Sequence, residues 1–265
     1  MAEEKYWLPT IGSVRKFKAA MDSEFGALGP FMITIDPAMY EACGLAGYDF
    51  ALIDMEHGIT SFTNLVDMVR GCNCVDVCPV VRIPRGTDIW ISRALDCGAG
   101  AIFVPQVETP EEAARIVDAA KFSPMGHRGL SKYVRAGGYN ACDEKHFYED
   151  GNETAVILQC EGPNAVANLE KILDVPGIDV IFIGPYDLSS SLGLIGQVTH
   201  PKVVEKIKEV IAICAKKGVK VGCFADTVER GIELREMGVK FIGYTSEVKL
   251  FLNAATADVA KWHNK

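Results

Sequence analysis

The sequence has no surplus of positive charge, no long apolar run and no repeated cysteine motif, and each absence removes a class of function. Lysine and arginine number 27 against 35 aspartate and glutamate, a net charge of −8. Such a chain has no basic excess with which to neutralise phosphates, so nucleic acid is not expected as a partner. No stretch approaches the ~18 consecutive apolar residues of a membrane span, so no membrane partner is expected either. Met1 to Lys18 carries Glu3, Glu4, Lys5, Arg15 and Lys16 and lacks the apolar core of a signal peptide. The expected location is therefore cytoplasmic. Among the nine cysteines, Cys72, Cys74 and Cys78 cluster, but with no second pair and no nearby histidine to complete a zinc site. Cys97, Cys160, Cys214 and Cys223 lie in apolar surroundings, and the set reads as reduced, structural thiols. Linkers, low-complexity tracts and composition shifts are missing as well, so residues 1–265 are expected to form one domain.

What is present is an alternation of short apolar runs with longer amphipathic ones. Runs with strand character occur at Pro30–Ile35, Phe50–Asp54, Pro79–Arg82, Ala101–Pro105, Ala155–Glu161, Val180–Gly184, Val221–Phe224 and Phe241–Tyr244. Helical patterns fill the gaps. Pro37–Ala46 starts after an Asp36 cap with proline at the first helical position, and Pro110–Lys121 starts after a Thr109 cap with Glu111 and Glu112 in its first turn. Others are expected at Ser61–Val75, Ile89–Cys97, Asn164–Leu173, Pro201–Lys217, Thr227–Met237 and from Val248 onward. Strict βα alternation implies parallel strands with right-handed crossovers. Eight units in 265 residues favour closure into a (β/α)₈ barrel, a fold of typically about 250 residues. Val14–Phe25 adds a helix before the first strand. Phe122–Thr154 is too long for a plain loop and is expected to be functional or to hold structure of its own.

Barrel chemistry sits at the C-terminal ends of the strands, and here those ends are polar. They carry Asp54, Glu56 and His57, then Arg82, then Gln106, then Gln159 and Glu161, then Tyr186 and Asp187. Singly, each acid could be solvated or cap the next helix, Arg82 could be a structural ion-pair partner, and His57 could be a rim histidine. Convergence of five successive strand ends on one mouth is harder to explain without a ligand.

At these residues the chain resembles the HpcH/HpaI aldolase family, the metal-dependent class II pyruvate aldolases. The resemblance runs from about Gly29 to the C-terminal region. It is carried by Gly47-Tyr48-Asp49-Phe50, Ile53-Asp54-Met55-Glu56-His57-Gly58, Pro79-Val80-Val81-Arg82 and Val104-Pro105-Gln106-Val107-Glu108. Gly126-His127-Arg128-Gly129, Gln159-Cys160-Glu161 and Gly184-Pro185-Tyr186-Asp187-Leu188-Ser189 complete it. The resemblance implies that Glu161 and Asp187 are the carboxylate ligands of a divalent metal ion. It implies that Arg82 contacts the 2-oxo oxygen of the substrate and that Gln159 lies beside the bound oxo acid. His57 matches the catalytic histidine, with Asp54 and Asp96 matching acids that orient it, within the chain or across a subunit boundary. The backbone around Tyr186 and Asp187 would receive the substrate carboxylate, and Arg128 would be a substrate-side loop residue. Family members form homo-oligomers, typically hexamers arranged as trimers of dimers with exchanged C-terminal helices. Cys160 and Gly162-Pro163 depart from the usual residues flanking the metal glutamate.

These residue types suit reversible cleavage of a 4-hydroxy-2-oxo acid to pyruvate and an aldehyde. The enolate of pyruvate needs its charge drawn onto oxygen, which a divalent cation does as a Lewis acid. Two oxygen ligands leave coordination positions open, favouring Mg²⁺ or Mn²⁺, with Co²⁺ or Zn²⁺ as further options. Arg82 adds a charge that cannot be lost. A histidine titrates near neutrality, so His57 can move the proton of the aldol hydroxyl. Schiff-base chemistry would need a lysine at a strand end inside the barrel, and Lys121, Lys132 and Lys240 lie elsewhere. The alternatives keep the same enolate site for citrate-synthase-like condensation or decarboxylation of oxaloacetate, or leave a non-catalytic barrel that binds an oxo acid.

Overall fold

The computed structural model describes residues 10–141 and 143–263. Eight parallel strands close into a barrel in sequence order, each followed by at least one helix. The strands are β1 Ala27–Met32, β2 Phe50–Asp54, β3 Cys78–Arg82, β4 Ala101–Val104, β5 Ala155–Gln159, β6 Val180–Ile183, β7 Lys220–Ala225 and β8 Phe241–Ser246. The principal helices are α1 Ile11–Asp22, α2 Pro37–Leu45, α3 Phe62–Cys74, α4 Asp88–Asp96, α5 Pro110–Ala120 and α6 Glu144–Gly151. They continue with α7 Pro163–Leu173, α8 Pro185–Ser191, α9 Pro201–Lys216, α10 Val228–Glu236 and α11 Glu247–Trp262. The (β/α)₈ expectation holds.

Side-chain alternation builds two cores. In β2, Phe50 and Leu52 join the barrel interior, while Ala51 and Ile53 pack outward on the helices. Ala101 and Phe103 of β4, Ala155 and Ile157 of β5, and Val180 and Phe182 of β6 fill the interior in the same way. Phenyl rings dominate it. Phe50 stacks on Phe241 with centroids 4.3 Å apart, and Phe103 meets Phe182 at 4.8 Å. The extra N-terminal helix α1 buries Val14, Phe17 and Met21 at helical spacing and closes the lower end, Phe17 meeting Phe50 edge-on at 5.6 Å.

The structure shifts β1 from its expected bounds, gives the long connection after α5 the structure of its own that was expected, and adds a helix after β6. β1 begins at Ala27 and ends at Met32, earlier than Pro30–Ile35, because Ala27 pairs with Phe241. The amides of Ile33 and Thr34 leave the ladder and donate to Glu247 Oε1, at 2.8 and 2.7 Å. The long connection after α5 contains a 3₁₀ helix, Arg135–Asn140, as well as α6. Lys121 ties it to the barrel, its buried ammonium donating to the carbonyl oxygens of Asn152 and Thr154, and burial lowers its pKa to about 8. The segment after β6 forms the short helix α8, which was not among the expected helices.

The eight cysteines among the described residues are free thiols, with Cys142 outside them. Burial pushes the Cys72 and Cys78 thiols up, and no group of three or more metal-ligating side chains occurs among the described residues. No helix among them is long and apolar enough to cross a membrane.

Candidate active site

The interior parity of the strands carries on into their C-terminal ends. Asp54 follows Phe50 and Leu52, Arg82 follows Cys78 and Val80, and Gln159 follows Ala155 and Ile157, so each points into the barrel mouth. Asp54 and Arg82 are also register partners across β2 and β3. Arg82 Nε and Nη2 donate to Asp54 Oδ1 and Oδ2 at 2.9 and 2.6 Å, a bidentate pair. Arg82 Nη1 lies 3.3 Å from Glu56 Oε2, and the guanidinium covers the Phe31 ring at 4.9 Å. Asp54 Oδ1 accepts two further hydrogen bonds, from the amides of Glu56 and His57. The guanidinium is therefore fixed before any ligand arrives.

Glu161 and Asp187 approach from β5 and β6. Glu161 sits two residues past Gln159 on the same parity, and the first turn of α8 supplies Asp187. Gln159 Nε2 donates to Glu161 Oε2, while Gln159 Oε1 is buried with no partner. Burial raises the Glu161 carboxyl to about 7, the Gln159 bond opposes this, and nearby Asp187 adds to it. Two carboxylates that repel at close range, beside an orphaned amide oxygen, form an oxygen-rich site suited to a divalent cation. The residues present fit such a group.

The gap at Gly184 makes the convergence sterically feasible. A Cβ built there would lie 2.6 Å from Glu161 Oε2 and 3.1 Å from Asp187 Oδ2. Its φ of −77° is ordinary, so glycine is needed for space and not for backbone freedom. Gly184→Ala is expected to fold normally yet bind divalent cations at least tenfold more weakly, since the displaced atoms belong to Glu161 itself. Isothermal titration with Mn²⁺ checks this, and wild-type affinity would exclude the steric role.

The mouth cavity, about 470 Å³, is lined by Phe31, Arg82, Gln159, Phe182 and Gly184 through Asp187. Phe224, Asp226, Thr245, Ser246 and Lys249 line its other side. Tyr186 donates to Asp226 Oδ2 at 2.6 Å, which pushes its hydroxyl pKa up to about 12. Sequence reasoning named Tyr186 but missed Asp226 and Lys249, which follow β7 and β8, as well as the role of Glu56.

Three expected residues are placed differently. His57 is not beside an Asp54 carboxylate that orients its ring, because both Asp54 oxygens are engaged by Arg82 and backbone amides. Its side chain is 73% exposed and lines an adjacent recess with Ile33, Ile35, Asp36 and Ile59, and Nε2 lies 3.9 Å from Glu56 Oε2. Glu56 therefore bridges Arg82 and His57. Asp96 and Arg128 pair with each other at 3.0 Å. They belong to the opposite end of the barrel, because Asp96 ends α4 just before β4 begins and Arg128 shares a small cavity with Gly98 and Thr154. The Arg128 side chain is 2% exposed and packs 4.6 Å over the Phe122 ring. Within one chain, neither residue reaches the mouth.

Residues 28–254 match the HpcH/HpaI aldolase/citrate lyase family. A 2-dehydro-3,6-dideoxy-6-sulfogluconate aldolase from Pseudomonas putida is 35% identical over 229 residues, covering 86% of this chain and 89% of that protein. A hydroxypyruvate/pyruvate aldolase from Roseobacter denitrificans is 33% identical, covering 93% of this chain and 96% of that protein. Among solved structures, a family protein from Burkholderia cenocepacia J2315 superposes with a TM-score of 0.86 at 32% identity, covering 93% of this chain and 98% of that one. The mouth geometry and these matches agree: the chain belongs to the HpcH/HpaI aldolase/citrate lyase family.

Proposed function

We propose that the chain is a carbon–carbon lyase that reversibly cleaves a 4-hydroxy-2-oxo acid to pyruvate and an aldehyde, with Glu161 and Asp187 holding a divalent cation. The observation that carries this reading is the cluster of Glu161, Asp187 and the unpartnered Gln159 Oε1 beside a preset Arg82. The chemistry such a cation supplies when bound is Lewis acidity toward the 2-oxo oxygen, worth on the order of several kcal/mol. Mg²⁺ or Mn²⁺ suits the donor set best.

Arg82 presents a fixed positive charge to the oxygen on which the enolate charge develops, and its bonds to Asp54 keep it from reorienting during the reaction. Gln159 orients the oxo acid, whose carboxylate is received by the backbone around Tyr186 and Asp187. In the cleavage direction a base takes the 4-hydroxyl proton, the C3–C4 bond breaks, and the aldehyde leaves. The electrons of the broken bond form the pyruvate enolate, which takes a proton at C3 in place of the one removed from the hydroxyl. We assign the hydroxyl proton to His57, reached through Glu56. His57→Ala is expected to lower aldol turnover by roughly 10²–10⁴-fold. It should still bind Mn²⁺ and pyruvate in calorimetry, and loss of metal binding would make the histidine a ligand instead.

The direct test of the reading is metal-dependent exchange of the pyruvate methyl protons in D₂O, followed by NMR. Exchange abolished by EDTA is the expected result, and no exchange with any divalent ion overturns the lyase reading. The chain is also proposed to assemble with copies of itself. Helix α11 buries only Glu247 and exposes Phe251, Leu252, Val259 and Trp262, an apolar face that supports packing on another copy.

A further inference from the structure

Where the last strand of the barrel meets the first, the pairing is distorted. The β8–β1 ladder runs from Phe241–Ala27 to Tyr244–Pro30 and then jumps to Ser246–Phe31, so Thr245 is skipped as a bulge. Thr245 takes a φ of 38°, a strained value for a β-branched residue, and it lines the mouth. Glu247 follows at the start of α11 and is the one residue that this helix buries. Its Oε1 accepts from the amides of Ile33 and Thr34, whereas Oε2 is buried with no partner among the described residues. A buried carboxyl oxygen without a donor costs stability, and so does the skipped threonine. Features that cost stability are retained where a site uses them, and here both adjoin the end of β1.

The segment that Glu247 holds is the seat of the His57 turn. Ile33 and Thr34 line the recess that also contains His57 and Gly58. A Cβ built on Gly58 would lie 3.4 Å from the Ile33 Cα and 2.2 Å from the Asp54 carbonyl oxygen. The turn from Asp54 to Gly58 therefore rests directly on the Ile33 backbone. We infer that Glu247 is a positioning residue for proton transfer, holding the end of β1 so that the turn bearing Glu56 and His57 stays in place over the mouth. This assignment rests on the lyase reading above and on His57 as the group that moves the hydroxyl proton. Gln159, Glu161 and Asp187 come from the β5 and β6 side of the barrel and touch no part of this segment. Glu247 thus acts on the proton step and not on the binding of the cation or the oxo acid.

The test is a mutant cycle on the full-length protein with Mn²⁺ and pyruvate, using whichever of glycolaldehyde, glyceraldehyde and succinic semialdehyde wild type turns over fastest. Glu247→Ala is expected to lower kcat about 100-fold, the effect of a small misplacement of a reacting group, with KM for pyruvate and Mn²⁺ affinity within about threefold of wild type. Glu247→Gln keeps an oxygen for the two amides and should stay within about fivefold of wild type. A glutamine variant as slow as the alanine variant overturns the role, because charge and not the amide contact would then matter. In a His57→Ala background, Glu247→Ala should cost no more than about a further twofold, since its effect passes through the histidine. Losses that multiply mark a general structural effect and overturn the assignment, as does wild-type kcat in a folded Glu247→Ala protein. If the alanine variant does not fold, Glu247→Asp takes its place in the cycle. It draws the oxygen back by one methylene and should lower kcat about tenfold, and unchanged kcat there overturns the assignment equally. Wild-type kcat in His57→Ala removes the histidine's role and that of Glu247 with it. No aldol product from wild type with any of the three aldehydes overturns the lyase reading itself.

Discussion

Replacing Glu161 by Gln is expected to lower metal-dependent kcat by about 10³-fold or more while leaving the fold as stable as wild type. The magnitude follows from losing most of a Lewis-acid contribution of several kcal/mol, each ~1.4 kcal/mol being tenfold in rate. The stability half of the expectation comes from the site's electrostatics. Burial and the nearby Asp187 already push the Glu161 carboxyl up to about 7. The charged form is thus unfavourable in the metal-free protein, and a neutral amide of the same shape relieves that cost. Urea unfolding in EDTA should give a midpoint at or above wild type, while manganese-dependent exchange and aldol turnover disappear. Activity within tenfold of wild type would remove Glu161 from the metal site. A fall in the urea midpoint would show that its charge is structural.

Asp54→Ala should have the opposite profile, a large loss of stability together with activity. The change leaves Arg82, a residue only 7% exposed, with only Glu56 as a carboxylate partner, and takes away the acceptor of the Glu56 and His57 amides. Breaking one partner of a buried pair typically costs 3–5 kcal/mol, and about 3 kcal/mol is expected here because Glu56 remains. Adding Arg82→Met to Asp54→Ala should recover part of the stability and none of the activity, because the unbalanced charge is gone but the enolate loses its fixed cation. A cost below about 1 kcal/mol in urea titration would mean that the pair is not holding the mouth together.

The strands and their inward parity were readable because two signals agreed. Apolar runs gave the strands, and the alternation inside each run carried Asp54, Arg82 and Gln159 to the same mouth. The ion pair between Asp54 and Arg82 was not readable, since it depends on which residues of β2 and β3 lie opposite each other, and no local pattern encodes that. The expectation that Asp54 orients His57 rested on spacing alone. In the folded chain, Arg82 and two backbone amides compete for the same carboxylate and take it. Helix α8 escaped notice because seven residues of Pro-Tyr-Asp-Leu-Ser-Ser-Ser carry no clear amphipathic stripe, although proline at its first position was a usable signal. Arg128 sat in a glycine-rich connection where sequence position says nothing about which end of the barrel it reaches. Its buried pairing with Asp96 is a purely tertiary fact.

The lining of the mouth cavity comes from two stretches of the chain. Strands β2 to β6 and α8 carry Asp54, Arg82, Gln159, Glu161 and Asp187, whereas Asp226, Thr245, Ser246 and Lys249 follow from β7, β8 and α11. Most of the second group makes no bond to the first, the contact from Tyr186 to Asp226 being the link that is present. Substitutions in the later part of the chain can therefore accumulate without disturbing the carboxylates, which makes this seam the natural place for a lineage, or a designer, to exchange one aldehyde for another.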